Sequence, residues 1–261
     1  MDLFIVQVWN EGLPGFALLA ITLVLLTLLA IAAVPLRVLT RFGSIVAYGF
    51  GVFFLLVGGV PYLLLMVVFV TLGGLATRYR LAEKRWRKVS EGIEGERRTG
   101  NVLAHTIPGA LLLLLAFIPG VSASSSLIAF LYTSALAFGA ADTYASEIGV
   151  LSPRPVSIVG GGFVPPGTDG GITLLGEAAA FAGGYFLSLC GALAFEVFDH
   201  IPGNSFLLFV LLATAAGWIG CQLDSLLGAT LERRGYLGKN QVNLIAMVLT
   251  MVMALGMWFA L

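Results

Sequence analysis

The stretch Leu111–Phe117 (LLLLLAF) is apolar at every position. A strand of a membrane barrel alternates lipid-facing and lumen-facing residues, so this run reads as helix, not barrel. A helix also satisfies its own backbone hydrogen bonds, which a segment in hydrocarbon must do. Runs of the same character recur on both sides of it. They are too long and too many for buried core helices, since one crossing takes about 20 apolar residues. Composition agrees. The 261 residues are 59% hydrophobic and 11% charged, whereas soluble domains carry roughly 25% charge. The chain therefore reads as an all-α, polytopic integral membrane protein with one transmembrane domain over residues 1–261. The formal net charge is zero, so charge balance names no partner and no nucleic acid is expected. Cys190 and Cys221 lie inside apolar spans and read as small packing residues.

Eight spans are expected, at about 15–36, 43–58, 60–77, 102–118, 125–141, 173–194, 205–228 and 242–261. The second and third meet at Gly58-Gly59-Val60-Pro61. They make either two crossings or one broken hairpin, because proline cannot continue a helix without a kink. Charge separates the two options. Every Lys and Arg falls in an odd-numbered loop: Arg37 and Arg41 in the first, eight residues from Arg78 to Arg98 in the third, Arg154 in the fifth, and Arg233, Arg234 and Lys239 in the seventh. Basic loops stay cytoplasmic, which puts these loops inside and both termini outside. A single crossing over Gly43–Thr77 would place the first and third loops on opposite sides, so eight spans fit better than seven. The first span reads as a retained helix and not a signal peptide, because Met1–Gly15 holds Asp2 and Glu11 and no basic residue. The basic loop at 78–100 is the one soluble-looking segment. Its front half, with Tyr79 and Trp86, reads as an interfacial helix. Arg97 and Arg98 abut the fourth span, where a cation has a phosphate headgroup within reach.

Acidic residues near membrane depth need a reason. Asp142, Glu147 and Asp224 lie at the cytoplasmic ends of spans five and seven. On a continuous helix Asp142 and Ser146 share a face. Glu147 points about 140° away from Asp142, given about 100° per residue. The three converge only if the helix distorts, and otherwise Glu147 faces another partner. Converging carboxylates fit Mg²⁺, which takes one or two carboxylates with substrate phosphates. Carboxylates paired with basic loop residues are the alternative. The cytoplasmic Pro/Gly loop is expected at 142–172, and its motif Val164–Thr173 (VPPGTDGGIT) runs directly into span six, which starts at Thr173. Loop amides at a helix N-terminus can cradle an anion. It is not a Walker A loop, since no Lys-Ser/Thr follows the glycines. Asn101, Asn240 and Asn243 complete the polar set. The last two share a face and serve either a nucleotide or helix bridging. His105 reads as a packed residue, and Glu177 as a ligand or a pairing partner. Gly183 and Gly184 read as helix-packing residues. His200, Glu196 and Asp199 belong to the outer side.

ADTYASEIG at 141–149, the loop PRPVSIVGGGFVPPGTDGGIT, LDSLLGATLE at 223–232 and the closing Asn240/Asn243 pair together resemble the phytyl-phosphate kinase family. This integral membrane family also includes transmembrane protein 19 and was long catalogued as a domain of unknown function. The likeness runs from about Gly43 to the C-terminus. GERRTGNVLAH at 95–105 is similar to the family less sharply, and His105 stands where a small polar residue is expected. The resemblance implies phosphorylation of a prenyl monophosphate, such as phytyl or geranylgeranyl phosphate, by a nucleoside triphosphate, with CTP expected. It also marks Asp142, Ser146, Glu147, Pro166, Gly167, Thr168, Gly170, Gly171, Asp224, Ser225, Gly228 and Asn243. The chemistry of these residues suggests their roles. Asp142, Glu147 and Asp224 are the expected Mg²⁺ ligands and catalytic residues. Arg98, Asn101, Ser146, Ser225, Asn243 and the loop from Pro166 to Gly171 are the expected substrate and nucleotide contacts. The setting implied is the cell membrane, with the site at its cytoplasmic face. A prenol kinase, a CTP-dependent cytidylyltransferase, or a transporter of a phosphorylated lipid are the alternatives. Oligomeric state stays open.

Overall fold

A computed structural model describes residues 3–90, 95–118, 124–198, 201 and 205–259. Among these, the chain is built almost wholly from helices: α1 (Phe4–Glu11), α2 (Leu13–Ala33), α3 (Arg41–Gly58), α4 (Val60–Arg78), α5 (Leu81–Trp86), α6 (Thr99–Leu115), α7 (Ser125–Gly149), α8 (Leu174–Glu196), α9 (Phe206–Leu227) and α10 (Lys239–Trp258). Seven of the described helices are long and apolar enough to cross a membrane: α2, α3, α4, α7, α8, α9 with its extension, and α10. The shorter apolar α6 accompanies them. These eight helices correspond to the expected spans. The shortest of them is α6.

Local chemistry sets the boundaries. Thr40, Ser124 and Thr173 accept hydrogen bonds from Gly43, Leu127 and Gly176 N–H groups at 3.1, 3.1 and 2.9 Å. Each replaces an intrahelical partner missing at a helix start. Gly59, at φ 95°, turns α3 into α4, and Pro61 sits in the first turn of α4, where a missing N–H is harmless. Gly58-Gly59-Val60-Pro61 is thus a hairpin between two helices. The fifth span runs further than expected. α7 continues through Asp142 and Ser146 to Gly149, so the helical part of the 142–172 segment belongs to α7. The loop proper lies between Gly149 and Thr173.

α7 forms the centre, contacting α4, α6, α8, α9 and α10. Phe130, Phe138, Tyr132 and Ala137 on it are sealed from solvent. Close approach to α7 needs small residues. A Cβ on Gly217 of α9 would lie 2.7 Å from the Ala137 carbonyl carbon, and one on Gly191 of α8 would lie 2.6 Å from Thr133. Gly183 likewise faces Ala140 and Tyr144, and Gly184 faces Ala137 and Ala141, in keeping with the packing expectation. α2 lies at the periphery, with Leu13, Ile21, Val24, Leu28 and Ile31 exposed, as suits a lipid-facing helix.

The odd loops meet at one end of the bundle. Arg97 N–H donates to the Val38 carbonyl at 3.0 Å, and Thr40 N–H donates to the Arg97 carbonyl at 3.1 Å. The first and third loops are therefore joined by backbone pairing, which requires α3 and α4 to cross separately. The Arg87 guanidinium donates to the Leu151 carbonyl at 3.0 Å, which brings in the fifth loop. The third loop departs from expectation in one respect. Tyr79 and Trp86 are exposed, as an interfacial segment requires, but Lys84 of α5 is 0% exposed.

Candidate active site

At this end, α7, the fifth loop, α9 and α10 enclose a cavity of about 270 Å³. Asp142 and Ser146 reach it from α7, Gly167, Thr168, Gly170 and Gly171 from the loop, Asp224 and Ser225 from α9, and Asn243 from α10. α9 does not stop at Leu227: Gly228–Glu232 continues it as a single π-helical turn, a distortion frequent at functional sites. With its amide nitrogen turned toward acceptors, Asn243 donates to Asp224 Oδ2 at 3.2 Å and to the Lys239 carbonyl at 3.0 Å. That contact fixes the Asp224 carboxylate against α10.

Glu147 does not join Asp142 and Asp224 in a three-carboxylate set. Because α7 stays helical, Glu147 turns toward α5 and forms an ion pair with Lys84. Lys84 Nζ also donates to the Ala76 and Thr77 carbonyls at 3.2 and 2.7 Å, so each of its three protons has an acceptor. Among the described residues, no three His, Cys, Asp or Glu side chains come together as a metal site. Asp142 and Asp224 line one wall and lie close enough for their charges to interact. Two carboxylates suffice for Mg²⁺ when substrate phosphates supply further oxygens, so the residues present fit that form of site.

The Pro/Gly loop is two successive turns. Thr168 N–H donates to the Pro165 carbonyl at 3.2 Å, and Gly171 N–H donates to the Thr168 carbonyl at 2.9 Å. Gly167 and Gly170, at φ 83° and 73°, take the third position of each, the glycine position of a type II turn. The Thr168 hydroxyl donates to Pro165 at 2.7 Å. Those donors shape the loop, so the expected phosphate cradle is narrower than its full run of amides. Thr173 already caps the first turn of α8. A two-residue ladder, β1 (Val156–Ser157) with β2 (Gly171–Ile172), closes the loop base. The loop rests on α9 at Gly170, where a Cβ would lie 2.4 Å from the Ala229 Cβ.

Three expected contacts are not on this wall. Arg98 is the exposed N-cap of α6. Asn101 faces a separate small cavity with Arg97 and His105. Pro166 sits in the first turn without lining the cavity. Arg97 is the arginine that reaches inward: its guanidinium donates to Thr143 Oγ1 at 2.8 Å and lies 5.2 Å from the Phe69 ring centre. Arg154 and Arg233 are exposed and off the wall. Asn240 and Asn243 diverge, with Asn240 against Gly100 of α6. His105 is buried beside Phe69 and bonds to the Asn101 carbonyl at 2.9 Å. Glu177 lines the cavity and accepts from Trp218 and Gln222 at 3.0 and 2.8 Å. Asp199 and His200 lie outside the described residues.

The structure adds wall residues that the motifs did not single out: Asp169, Glu232 and Lys239. Lys239 is the one basic side chain on this wall among the described residues. Its place just before the Asn240/Asn243 pair was the available signal. Lys84 was hidden in a basic run whose bulk faces water.

Fold and cavity together define a polytopic helical membrane protein whose motif residues wall an acidic chamber at its basic end. The chain belongs to the integral membrane protein family DUF92, whose model matches residues 24–251. It is 34% identical over 231 residues to an uncharacterized membrane protein of Methanocaldococcus jannaschii, covering 88% of this chain and 90% of the relative. It is 28% identical over 256 residues to an uncharacterized membrane protein of Synechocystis, covering 96% and 94%. It is 26% identical over 205 residues to the chloroplastic protein VTE6 of Arabidopsis thaliana, covering 77% and 59%. No solved structure matches the chain.

Proposed function

We propose that the chain is a membrane kinase that transfers the terminal phosphoryl group of a nucleoside triphosphate, CTP in the first instance, to a prenyl monophosphate. The observation that carries this reading is the convergence of the motif residues Asp142, Gly170, Asp224 and Asn243 on one acidic cavity. The motif resemblance to phytyl-phosphate kinases and the similarity to VTE6 support it. By the charge rule, this end faces the cytoplasm, where the nucleotide is.

Phosphoryl transfer is largely a matter of position and charge neutralisation. An oxygen of the acceptor monophosphate attacks the γ-phosphorus, and the bond to the leaving nucleoside diphosphate breaks. The acceptor is already anionic at neutral pH, so no strong base is needed, consistent with His105 lying off this wall. Asp142 and Asp224 would hold Mg²⁺, which neutralises charge on the donor phosphates. Asn243 keeps Asp224 in place. Lys239 offsets charge on the acceptor, and the loop positions phosphate through the groups its turns leave exposed. The prenyl tail stays in lipid or between helices. A groove of about 510 Å³ between α6 and α10, walled by Leu103, Ile107, Leu244 and Ile245, offers it space.

The test is purified protein in detergent with Mg²⁺, γ-labelled CTP or ATP, and a panel of prenols and prenyl monophosphates. Label in a prenyl diphosphate supports the kinase. Label only in a monophosphate makes it a prenol kinase, and release of labelled pyrophosphate makes it a cytidylyltransferase. No lipid-dependent turnover by folded protein sinks the enzymatic reading in favour of a transporter.

A further inference from the structure

α5 lies against the last turn of α4. Lys84 Nζ donates to the Ala76 and Thr77 carbonyls of that turn at 3.2 and 2.7 Å and pairs with Glu147 of α7. Leu75, just before those carbonyls, is 58% exposed on a helix long and apolar enough to cross a membrane. α5 is therefore held at the level where α4 leaves hydrocarbon. Its faces differ. Lys84 points inward and is sealed from solvent. Trp86 stands two residues later, about 200° round the helix, and is 83% exposed. Tyr79, in the turn before α5, is 54% exposed. Tryptophan and tyrosine at the end of a crossing helix favour the headgroup layer, which serves both the apolar ring and its polar edge.

Charge gives this surface its sign. Six cations stand between Arg78 and Lys88. Glu147 neutralises Lys84, and Glu83 is shared by Arg80 and Arg87. Arg78, Arg85 and Lys88 are exposed and have no acidic partner among the described residues. Lys88 also holds φ at 60°, a left-handed conformation in which glycine costs less. A cation kept at such a turn points to a use for its charge. We infer that Arg78, Arg85, Trp86 and Lys88, with Tyr79, form a binding surface for anionic phospholipid headgroups. The rings settle among the headgroups, and the three cations reach the phosphates around them. The buried Lys84–Glu147 pair holds this face outward. An acidic soluble protein would meet the same cations, but the depth of α5 and its exposed rings favour lipid. The surface is independent of the reaction proposed above.

The test uses full-length protein in phosphatidylcholine vesicles. A fixed fraction of the lipid carries bromine near the headgroup end of its chains, as phosphatidylglycerol or as phosphatidylcholine. Bromine quenches tryptophan on contact, and the difference between wild type and Trp86→Phe isolates the emission of Trp86. Wild type is compared with R78Q/R85Q/K88Q and with R154Q/R233Q/R234Q, which removes equal charge from other loops. Each has its Trp86→Phe counterpart and is first shown to be folded by melting. Trp86 is expected to be quenched by lipid and shielded from aqueous acrylamide. Brominated phosphatidylglycerol should quench it with an apparent affinity about fivefold or more above that of brominated phosphatidylcholine, the effect of about one cation near an anionic surface. R78Q/R85Q/K88Q should lose this preference, and R154Q/R233Q/R234Q should keep it. Quenching by acrylamide but not by lipid would put the face in water, overturning the inference and leaving the cations to a soluble partner. Equal quenching by the two lipids would overturn it by showing headgroup contact without charge recognition. Equal loss of preference in R154Q/R233Q/R234Q would overturn it by showing a general field and no surface at α5. Should R78Q/R85Q/K88Q not fold, Arg85→Gln and Lys88→Gln are read singly by the same criteria.

Discussion

Gly170 shows how one residue ties the loop to the bundle. Its φ of 73° is a conformation that side chains resist, and its Cα faces Ala229 so closely that an added methyl would overlap. Gly170→Ala is therefore expected to lift the loop from α9 and cut turnover by about tenfold or more, because a shift of an ångström at a positioned phosphate is costly. G170A/A229G removes the closest overlap but leaves the new Cβ 2.8 Å from the Ser225 carbonyl oxygen and keeps the backbone strain, so it should recover only a small part of the loss. Steady-state turnover of the three proteins checks this, and full activity of Gly170→Ala would show that the loop's seat is not needed. Asp142→Asn and Asp224→Asn should abolish turnover while leaving the melting temperature in detergent within a few degrees of wild type. Wild-type turnover by Asp142→Asn would remove the core of the proposed chemistry. Much at this scale was legible beforehand. Asp142, Asp224 and the glycines carry short-range patterns that the fold preserves. The helix step already turned Glu147 away from Asp142 toward another partner, but which partner was not legible, because Lys84 lies far away in sequence, among basic residues that otherwise face water. The same held for Arg97 and Arg98: adjacent arginines look alike until a backbone pairing with Leu39 turns one of them inward.

At the level of elements, α7 dictates which substitutions are tolerated. A Cβ on Gly217 would lie 2.7 Å from the Ala137 backbone, whereas one on Gly184 would meet its nearest neighbour at 3.5 Å. Gly217→Ala must push α9 away and should cost about 1–3 kcal/mol. Gly184→Ala fits and should be neutral or stabilising by up to about 1 kcal/mol, since alanine favours helix. Melting curves in detergent compare the two, and equal effects would contradict the packing described for α7. Hydropathy located every long helix, because a bilayer crossing leaves a run of about 20 apolar residues. It misplaced the end of the fifth span, because α7 leaves hydrocarbon before it leaves the protein. Its last turns are polar on one side and still sheltered by α8, α9 and α5. Charge on a helix marks exposure to a polar cavity as readily as exposure to solvent.

Across the whole molecule, the backbone link between residues 38–40 and 97 places the first and third loops together, and the contacts of Gly170 and Arg87 bring in the rest. Their shared side is expected to be cytoplasmic. Arg154→Cys and Arg234→Cys, introduced singly, should resist a membrane-impermeant maleimide in intact cells and react once the membrane is opened. Labelling in intact cells would invert the orientation. The distribution of lysine and arginine was sufficient to group these loops, since it records which side each was retained on. The chamber beneath them was less accessible to reading, because cavities arise where distant segments fail to fill space.

α7 continues from Asp142 to Gly149, a rise of about 10 Å at 1.5 Å per residue. The floor of the chamber is thus recessed below the rim where the helix ends. In the proposed reaction a water-borne nucleotide would descend through that depth, while an oil-bound acceptor would hardly need to climb. On that reading the soluble molecule is the traveller, and the greasy one is met close to where it would already reside.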